Sequence, residues 1–451
     1  MPDNGRVLVL GSGAAGTSAA RSLSDSGWSV AVVERDKVGG TCLWHGCMPK
    51  KALATSAHAL RLTVDAEQFG IDCDSTTYDW PAVLAWKWHA QETYAGDQES
   101  LLESRGIELL RGSARFVGAD AVVVDGETHV FDRAVIATGS EPVLPDIPGI
   151  ELADTSADAL GYAVPPTQLL IVGGGFVGLE FAGIYASFGS RVTVVASGDR
   201  PLSAADPDIV AVAVRHLDRL GVRFVTGQRV TALSGQPGSI TAVSSAGSQD
   251  PPMGPFDRVL MATGRRPAVS TLDLDAAGVE LDARGRLVVN AAGRTTNDRI
   301  WAAGDAAGGL MQTPVASYEG RTVAASIATG NDVPFDTTAV PTTTFTVPHL
   351  AQVGMTESAA AAAGIAYRIA STPFEFLGAA IIDDERDGLI KLIFAKDDGR
   401  LLGAHIAGPT ASDLIYALAL AVRYAHTAQD LQEVLGIHPS YCEAINWTAF
   451  G

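Results

Sequence analysis

The sequence predicts an α/β fold in which one β-strand–glycine turn–α-helix unit occurs twice. The first copy starts with an apolar run at 6–10 and the second with an apolar run at 168–172, and small and apolar residues at helical spacing follow each turn. The glycines of the two turns are Gly11, Gly13, Gly16, Gly173, Gly175 and Gly178. The next strand, at 29–34 and at 191–196, follows at the same distance in both copies. Two copies in this context predict two Rossmann-like dinucleotide-binding domains.

Each turn has the residues that a pyrophosphate-binding loop needs. Glycine permits the tight turn and lets backbone N–H groups come close to phosphate, which then lies at the positive end of the following helix. A single glycine motif would be weak evidence, because glycine-rich turns occur for many reasons. The prediction of two dinucleotide sites therefore rests on the occurrence of two motifs with identical spacing.

The residue that ends the second strand of each copy bears on which nucleotide binds. Glu34 ends the first of these strands, and its carboxylate is able to accept hydrogen bonds from ribose hydroxyls. Ala196 stands at the equivalent position of the second copy, so no acid is there to repel a 2′-phosphate, which Ser197 and Arg200 are able to contact. We therefore expect the second site to prefer NADPH to NADH. The alternative is that Ala196 only weakens the discrimination.

The remaining sequence predicts a third, α+β domain. From about 336 the pattern changes to alternating strands across 381–408 and an apolar helix at 411–425. A polar, Gly/Pro-rich stretch at 238–255 is expected to form a turn or loop. The predicted division is a discontinuous first domain at 1–150 and 265–335, a second domain at 151–264 and an interface domain at 336–451.

The acidic composition limits the partners of the chain. Its 451 residues include 32 Lys+Arg and 51 Asp+Glu, for a formal net charge of −19. Such a balance repels nucleic acid and anionic lipid, since binding to either starts from Lys and Arg at phosphate groups. The N-terminus shows no basic and apolar leader, and the longest apolar stretches, such as 414–422, are too short to span a membrane. We therefore expect a cytoplasmic protein with neither nucleic-acid nor membrane partners.

Two of the four cysteines, Cys42 and Cys47, lie close together after the first unit. Pro49 suits a first helical turn, so Cys47 is expected just before a helix N-terminus. The helix dipole and nearby lysines would stabilise its thiolate and lower its pKa. Two cysteines that close so short a loop can join as a disulfide, and opening it releases one thiol to attack and one to hold charge. Redox chemistry is the favoured interpretation.

Two other interpretations of this cysteine pair are open. Zinc, with His45 as a third ligand, is one, but the sequence has no second cysteine pair to complete such a site. A purely structural disulfide is the other, and it is uncommon in a cytosolic chain. We therefore expect no metal.

The segment around the cysteines resembles a known family. The run GGTCLWHGCMPKK at 39–51, preceded by GSGAAG and Glu34, is similar to the active-site segment of the class I pyridine nucleotide–disulfide oxidoreductases, the family of glutathione reductase and dihydrolipoamide dehydrogenase. The similarity continues through 134–142, the second glycine motif, 260–267 and 295–308. It thus covers essentially the whole chain.

The resemblance implies FAD in the first site and a nicotinamide dinucleotide in the second. Cys47 then corresponds to the thiolate next to the flavin and Cys42 to the thiol that exchanges with substrate. Asp305 corresponds to the family's flavin ribityl contact, and the helix start from Thr313 to Ala316 corresponds to the segment that faces the flavin pyrimidine ring. The further cofactor-binding residues implied are Thr41, Thr138, Gly139 and Gly264.

The resemblance also implies the acid and base groups. Glu180 corresponds to an acid that pairs with a lysine beside flavin N5, and Lys50 and Lys51 are both candidates for that lysine. His438 corresponds to the acid/base that takes and returns thiol protons, with Glu443 orienting its imidazole. In the family this histidine serves the active site of the other subunit, so a homodimer with a shared active site is implied.

The predicted function is reduction of a small disulfide, as in glutathione reductase, by electrons that pass from NADPH through FAD and the Cys42–Cys47 disulfide. Alternatives are an NAD-linked dihydrolipoamide dehydrogenase of a larger complex and a flavoprotein that reduces quinones or oxygen. The identity of the physiological disulfide is open. Cys73 is expected to be a bystander, and the role of Cys442, inside the His438–Glu443 motif, is open.

Overall fold

The computed structural model describes residues 5–73, 76–245 and 252–450. The strands in this part of the chain are β1 (Arg6–Leu10), β2 (Ser29–Glu34), β3 (Glu108–Arg111), β4 (Ala114–Gly118), β5 (Ala121–Val124), β6 (Glu127–Val130), β7 (Arg133–Ile136), β8 (Ser140–Pro142), β9 (Gln168–Val172), β10 (Arg191–Val195), β11 (Arg223–Val225), β12 (Val230–Gln236), β13 (Ser239–Ser244), β14 (Met253–Phe256), β15 (Arg258–Met261), β16 (Arg265–Pro267), β17 (Ile300–Ala302), β18 (Thr342–Thr344), β19 (His349–Gly354), β20 (Tyr367–Pro373), β21 (Leu389–Ala395) and β22 (Leu401–Gly408). The helices are α1 (Ala14–Asp25), α2 (Gly40–Trp44), α3 (Cys47–Val64), α4 (Trp80–Ala95), α5 (Gln98–Glu103), α6 (Ser156–Ala159), α7 (Phe176–Ser187), α8 (Pro207–Arg219), α9 (Thr313–Thr329), α10 (Glu357–Ala362), α11 (Gly378–Ile382), α12 (Ala411–Arg423), α13 (Ala428–Glu433) and α14 (Glu443–Phe450). Within the described ranges, none of these helices has both the length and the apolar character needed to cross a membrane.

The chain forms two compact units. The first unit consists of Met1–Ala52, Pro81–Val143 and Gly264–Asp336, and the second of Leu53–Trp80, Leu144–Thr263 and Thr337–Gly451. Residues 53–80, which the sequence analysis assigns to the first domain, belong to the second unit. The three-domain division with its boundaries stays a prediction.

The first unit is built on a parallel sheet with the strand order β17-β7-β1-β2-β3. β1 is buried from Val7 to Leu10, as a strand of a sheet that is covered on both faces must be. On one face α1 and α9 pack together, with Ala15, Ala19 and Ala20 in the core between them and the sheet. Small residues on α1 allow this close approach of the two helices.

The turn between β1 and α1 depends on glycine. Gly11 has φ +104°, in the left-handed region, and a Cβ on Gly16 would lie 1.9 Å from the Gly11 carbonyl oxygen. Any side chain at Gly16 would therefore push the helix away from the strand. A Cβ on Gly13, in contrast, would meet nothing within 4 Å, so the turn opens onto free space there.

The second unit repeats this arrangement in its parallel sheet, which has the order β11-β10-β9-β15. Gly173 has φ +125°, and a Cβ on Gly178 would lie 2.0 Å from the Gly173 carbonyl oxygen. β9, α7 and β10 thus follow the pattern of β1, α1 and β2. The predicted α/β fold with two dinucleotide-binding units is confirmed.

The C-terminal part of the second unit is an antiparallel sheet with the order β18-β19-β22-β21-β20, and α12 packs on it. The prediction of strands throughout 381–408 is wrong at its start, because Ile381 and Ile382 end the short helix α11. Ala379 and Ala380 of that helix are buried while both isoleucines are exposed, so the small residues rather than the large ones face the core. The helix predicted at 411–425 forms as α12.

The loop predicted at 238–255 also needs correction. Part of it forms β13, which pairs with β12 in an antiparallel hairpin, and β14 adds a third strand. The alternation in β13 places Ile240 and Ala242 in the core, a period-two signal that the surrounding Gly, Ser and Pro residues obscure. Residues 246–251 of the predicted loop lie outside the described residues.

Replacing Gly320 by alanine should destabilise the fold. Gly320 lies in the middle of α9, where a Cβ would be 2.2 Å from the Ala15 carbonyl oxygen on α1. Gly183, in the middle of α7, is the matched control, because a Cβ there would meet only the tip of Leu217 at 3.4 Å. We expect Gly320→Ala to lower the free energy of unfolding in urea by about 1–3 kcal/mol. Gly183→Ala should raise it by up to ~1 kcal/mol through helix propensity, and equal effects of the two would contradict the packing described for α1 and α9.

Candidate active site

Cys42 and Cys47 lie on successive helices of the first unit. Cys42 is half-buried on α2, and Cys47 is exposed and is itself the first residue of α3, not the residue before the helix as predicted. The pKa of the Cys42 thiol is raised by its hydrogen bond to Cys47, by burial and by the charge of Cys47, while Thr313 and Lys50 act in the opposite direction. Cys42 therefore keeps its proton at neutral pH.

The N-terminus of α9 meets this cysteine pair. The Thr313 hydroxyl, at the first position of the helix, lies 3.4 Å from Cys47 Sγ. Unpaired N–H groups give a helix N-terminus a partial positive charge, which favours a thiolate over a thiol. Ala316, predicted with Thr313 to face a flavin, is buried in the first turn of the same helix.

α2 starts directly against the first glycine turn. The Gly39 N–H donates to the Ser12 carbonyl oxygen at 3.1 Å, and a Cβ on Gly40 would lie 2.8 Å from the Cα of Gly13. Glycine at position 40 therefore allows the helix that carries Cys42 to approach the turn. This contact brings the cysteine pair and the predicted pyrophosphate loop together.

Glu34 is fixed at the same turn by three hydrogen bonds. Its Oε2 accepts from the Ser12 N–H at 2.9 Å and from the Ser12 hydroxyl at 2.6 Å, and its Oε1 accepts from the Asp36 N–H at 2.8 Å. The carboxylate is buried, so these donors hold it at the end of β2. Ser12 was not among the predicted site residues, although its place between the first two motif glycines marks it as a turn residue.

The residues present fit a dinucleotide at this turn. The space in front of Gly13 is open, and the Thr138 hydroxyl oxygen is buried with no hydrogen-bond partner among the described residues. An unsatisfied buried hydroxyl is uncommon in a folded protein, and this one is available to a polar ligand. Gly139 follows Thr138 with φ +74°, so the chain turns sharply at this position.

Asp305 is held by a hydrogen-bond chain that the sequence analysis did not identify. The Ser140 hydroxyl donates to Asp305 Oδ2 at 2.5 Å, and Arg265 donates from Nε to the Ser140 hydroxyl and from Nη2 to the Ser140 carbonyl, both at 2.7 Å. Burial lowers the pKa of Arg265, and the nearby Asp305 opposes that shift. Gly264, predicted to contact a cofactor, precedes Arg265 with φ +114°.

The other predicted residues of the first unit differ in their exposure. Thr41 is exposed, and its carbonyl oxygen accepts the His45 N–H at 2.9 Å. Lys50 is buried on α3 and Lys51 is half-buried beside it. The zinc alternative placed His45 near the cysteines, but its Nε2 lies 3.5 Å from the Asp36 carboxylate.

The second glycine turn lacks the polar pair of the first. In the second copy of the repeat, Gly174 occupies the position equivalent to Ser12, and Ala196 the position equivalent to Glu34. A Cβ on Gly174 would lie 2.7 Å from the Ala196 Cβ. Arg200 donates to the carbonyl oxygens of its own loop at Leu202 (3.1 Å), Ser203 (2.8 Å) and Ala205 (2.9 Å). These carbonyls accept terminal N–H groups of Arg200, whereas Ser197 is exposed, and the predicted contact of Arg200 with a 2′-phosphate stays a prediction.

Glu180 is buried on α7 of the second unit. Its Oε1 accepts the Phe345 N–H at 2.7 Å. Lys50 and Lys51 belong to the first unit, so the predicted pairing with one of them stays a prediction.

His438 and Glu443 form a pair in the second unit. His438 Nδ1 lies 3.0 Å and 3.2 Å from the two carboxylate oxygens of Glu443, and the Ser440 N–H donates to Oε2 at 3.0 Å. The Ser440 N–H and then His438 lower the pKa of Glu443, so the acid is ionised and orients the ring. The imidazole is 76% exposed and its other nitrogen, Nε2, is the atom able to exchange protons. Cys442 Sγ lies 2.8 Å from the Ser440 hydroxyl, and no role is assigned to it.

Comparisons with known proteins match nearly all of the chain. Residues 5–320 match the family model described as pyridine nucleotide-disulphide oxidoreductase, and residues 340–449 match the dimerisation domain of the same family. The chain is 35% identical to the dihydrolipoyl dehydrogenase of Haloferax volcanii, over 97% of this chain and 94% of that protein. It is 33% identical to the mercuric reductase of Lysinibacillus sphaericus, over 99% of this chain and 82% of that protein.

Solved structures of similar proteins cover the same extent. The HOCl-induced flavoprotein disulfide reductase RclA from Escherichia coli superposes with a TM-score of 0.89 at 27% identity, over 99% of both chains. LpdA from Mycobacterium tuberculosis superposes with a TM-score of 0.90, also at 27% identity and over 99% of both chains.

Glu319 is a buried acid next to the Asp305 segment that the sequence analysis did not identify. It lies on α9, and its Oε2 accepts the Gly304 N–H at 2.7 Å. Burial raises the pKa of Glu319 from its usual 4.5 to about 7, with Asp305 acting in the same direction and the Gly304 N–H against it. A negative charge on Glu319 at neutral pH therefore destabilises the fold.

Glu319→Gln should change the pH dependence of stability. Because the folded-state pKa is raised, the unfolded chain ionises first as pH rises, and stability falls between about pH 4.5 and pH 7. Glutamine keeps the acceptor for Gly304 and removes the charge. We expect the variant to match the wild type near pH 4 and to be about 2 kcal/mol more stable near pH 8 in urea titrations. Glu127→Gln, at an exposed site in the same unit, is the control, and a gain of Glu319→Gln that is equal at both pH values would contradict the assignment.

Proposed function

The chain belongs to the pyridine nucleotide–disulphide oxidoreductase family, and on that premise we propose that it uses NADPH to reduce a small disulfide at Cys42 and Cys47. It is an FAD-dependent disulfide oxidoreductase. The choice of NADPH and of a small disulfide is the proposal. The observation that supports reduction of a disulfide is the hydrogen-bonded cysteine pair at the N-terminus of α9, with the proton on Cys42 and the Thr313 hydroxyl against Cys47.

The first unit has the groups to hold the flavin nucleotide. Glu34 would accept the ribose hydroxyls, the backbone around Gly13 would face the pyrophosphate, and Asp305 would bind the ribityl chain. The buried Thr138 hydroxyl is a further polar group for this ligand. When bound, FAD supplies the two-electron transfer between the reduced nicotinamide and the cysteine pair.

The cysteine pair carries out the thiol–disulfide exchange. Cys42 Sγ attacks one sulfur of the substrate, the substrate S–S bond breaks, and the departing sulfur takes up a proton to leave as the first thiol. Cys47 Sγ then attacks Cys42 Sγ, which restores the Cys42–Cys47 disulfide and releases the second thiol. One dithiol and one substrate disulfide thus give one protein disulfide and two thiols.

Proton transfer in this exchange needs a base, because the pKa of Cys42 is raised. His438, oriented by the ionised Glu443, is suited to take the Cys42 proton and return it to the departing sulfur. We place this histidine across a subunit interface, as the resemblance implies, so that His438 of the partner subunit serves Cys42. The dimerisation-domain match and the exposed apolar residues beside His438, with Leu435 91% and Ile437 74% exposed, support this homodimer.

Cys42→Ser should remove disulfide reductase activity. Serine cannot form the mixed disulfide, so NADPH-dependent turnover of a low-molecular-weight disulfide should fall at least about a hundredfold. Reduction of an artificial quinone by NADPH, which bypasses the cysteine pair, should stay close to that of the wild type. Cys73→Ser, at an exposed cysteine, is the matched control and should retain full turnover. Full disulfide turnover by Cys42→Ser would contradict this role of Cys42, and a wild type that reduces the quinone but no disulfide would favour the quinone or oxygen reductase instead.

A dihydrolipoamide-type disulfide with NAD as the nucleotide is the second candidate, because several relatives are dihydrolipoyl dehydrogenases. Our preference for NADPH rests on Ala196, which leaves the second site without the carboxylate that Glu34 provides in the first. We expect no contribution from Arg200 to this preference, because its terminal N–H groups donate to carbonyl oxygens of its own loop.

Ala196→Glu should shift the nucleotide preference toward NADH. A carboxylate there would accept ribose hydroxyls and repel a 2′-phosphate, and the ratio of kcat/KM for NADH to that for NADPH should rise about tenfold or more. Arg200→Met is the control from the same loop and should change this ratio less than about twofold, since Arg200 donates to backbone carbonyls. A wild type that prefers NADH, or an Arg200→Met variant that selectively loses NADPH, would contradict the proposed basis of specificity.

A further inference from the structure

A buried glutamine contacts the helix that carries Cys42. Gln91 lies on α4 and its side chain is fully buried. Its Nε2 donates to the Leu43 carbonyl oxygen at 3.0 Å and to the Trp44 carbonyl oxygen at 3.3 Å. These are the two residues that follow Cys42 on α2.

α2 needs donors from outside the helix. It has only five residues, Gly40–Trp44, and the last carbonyl groups of a helix have no following turn to accept from. Within its own segment, the His45 N–H donates back to the Thr41 carbonyl oxygen at 2.9 Å. Gln91 supplies donors to the carbonyls of the last two residues of this short helix, and so it fixes the helix end that follows Cys42.

The amide oxygen of Gln91 indicates that the residue serves as a hydrogen-bond donor. Its Oε1 is buried with no hydrogen-bond partner among the described residues. An unsatisfied buried acceptor destabilises a fold, so an apolar side chain of similar size would serve packing better at this position. Lys87, one turn earlier on the same face of α4, is only 2% exposed, so the surroundings contain little water and hydrogen bonds there are strong.

We propose that Gln91 is a positioning residue for Cys42, one that sets how readily Cys42 and Cys47 join as a disulfide. The proposal rests on the proposed function, in which this pair is redox active. By holding α2 in place, Gln91 keeps Cys42 Sγ close to Cys47 and so raises the effective concentration of one sulfur at the other. Closing the S–S bond removes two electrons and two protons from the pair, and an oxidised dithiol reagent that accepts them becomes the reduced dithiol.

Gln91→Met tests the proposal, because methionine has similar length, is apolar and lacks the donors. The variant is equilibrated in buffers of reduced and oxidised dithiothreitol, and Cys42 and Cys47 are trapped by alkylation and counted by mass. We expect the dithiol form to be favoured about threefold or more over the wild type at the same buffer ratio, because a looser α2 lowers the effective concentration. The Tm should be unchanged or higher. Glu92→Met, at the neighbouring exposed residue, is the control and should behave as the wild type.

Steady-state kinetics give a second readout. In Gln91→Met, kcat for disulfide reduction should fall while KM for NADPH and turnover with an artificial quinone stay unchanged, a split that loss of folding would not produce. Gln91→Glu, whose carboxylate would face two carbonyl oxygens, should shift the thiol equilibrium further in the same direction.

Three results would overturn the proposal. One is a Gln91→Met thiol equilibrium within a factor of about two of the wild type. Another is a shift of the equilibrium toward the disulfide. The third is a Gln91→Met variant that unfolds, or that loses quinone and disulfide turnover in parallel, which would show that Gln91 only stabilises the fold. Failure of the proposed function is distinguishable, since it would appear in the wild type as a cysteine pair that does not exchange with dithiothreitol.

Discussion

The close contact between the first turn of a helix and the strand that precedes it determines most of this structure. At Gly16 and again at Gly178, the helix lies so near the strand that a single carbon atom would clash with a carbonyl oxygen, at 1.9 Å and 2.0 Å. This approach points the helix N-terminus at the carboxyl edge of each parallel sheet, where ligands of such sheets bind. In the first unit, α2 also packs against this turn, because Gly40 has no side chain. The turn that shapes the nucleotide site therefore also positions the cysteine pair.

The features that could be predicted from the sequence are each formed by a short segment of the chain. The glycine turns, Glu34 at the end of β2 and the Cys42–Cys47 segment each depend on residues close together in the chain, so their spacing indicates their geometry. The His438–Glu443 pair is also local, and it was implied by the resemblance to the family. α11 shows the limit of local patterns, because Ile381 and Ile382 predict a strand by composition, yet two alanines form the buried face.

Contacts between distant residues could not be predicted in this way. Ser140, Arg265 and Asp305 form one hydrogen-bond chain although Ser140 lies 125 residues from Arg265 and 165 residues from Asp305 in the sequence, and nothing near any of them reveals the other two. Gln91 is a similar case, since a glutamine on a helix is ordinarily a surface residue and only the fold buries it against α2. Nor does anything in the sequence indicate that Arg200, a cation next to a predicted phosphate site, donates to carbonyl oxygens of its own loop.

The two glycine turns have the same backbone arrangement but differ in how far their polar side chains are ordered before a nucleotide binds. At the first turn, Ser12 and Asp36 already hold the Glu34 carboxylate in place, so little ordering is left for an arriving nucleotide to impose. At the second turn Gly174 and Ala196 offer no polar group to organise. A preorganised site favours long residence and an unorganised one favours rapid release. We therefore expect the first ligand to stay bound to the protein over many cycles and the second to arrive and depart in each.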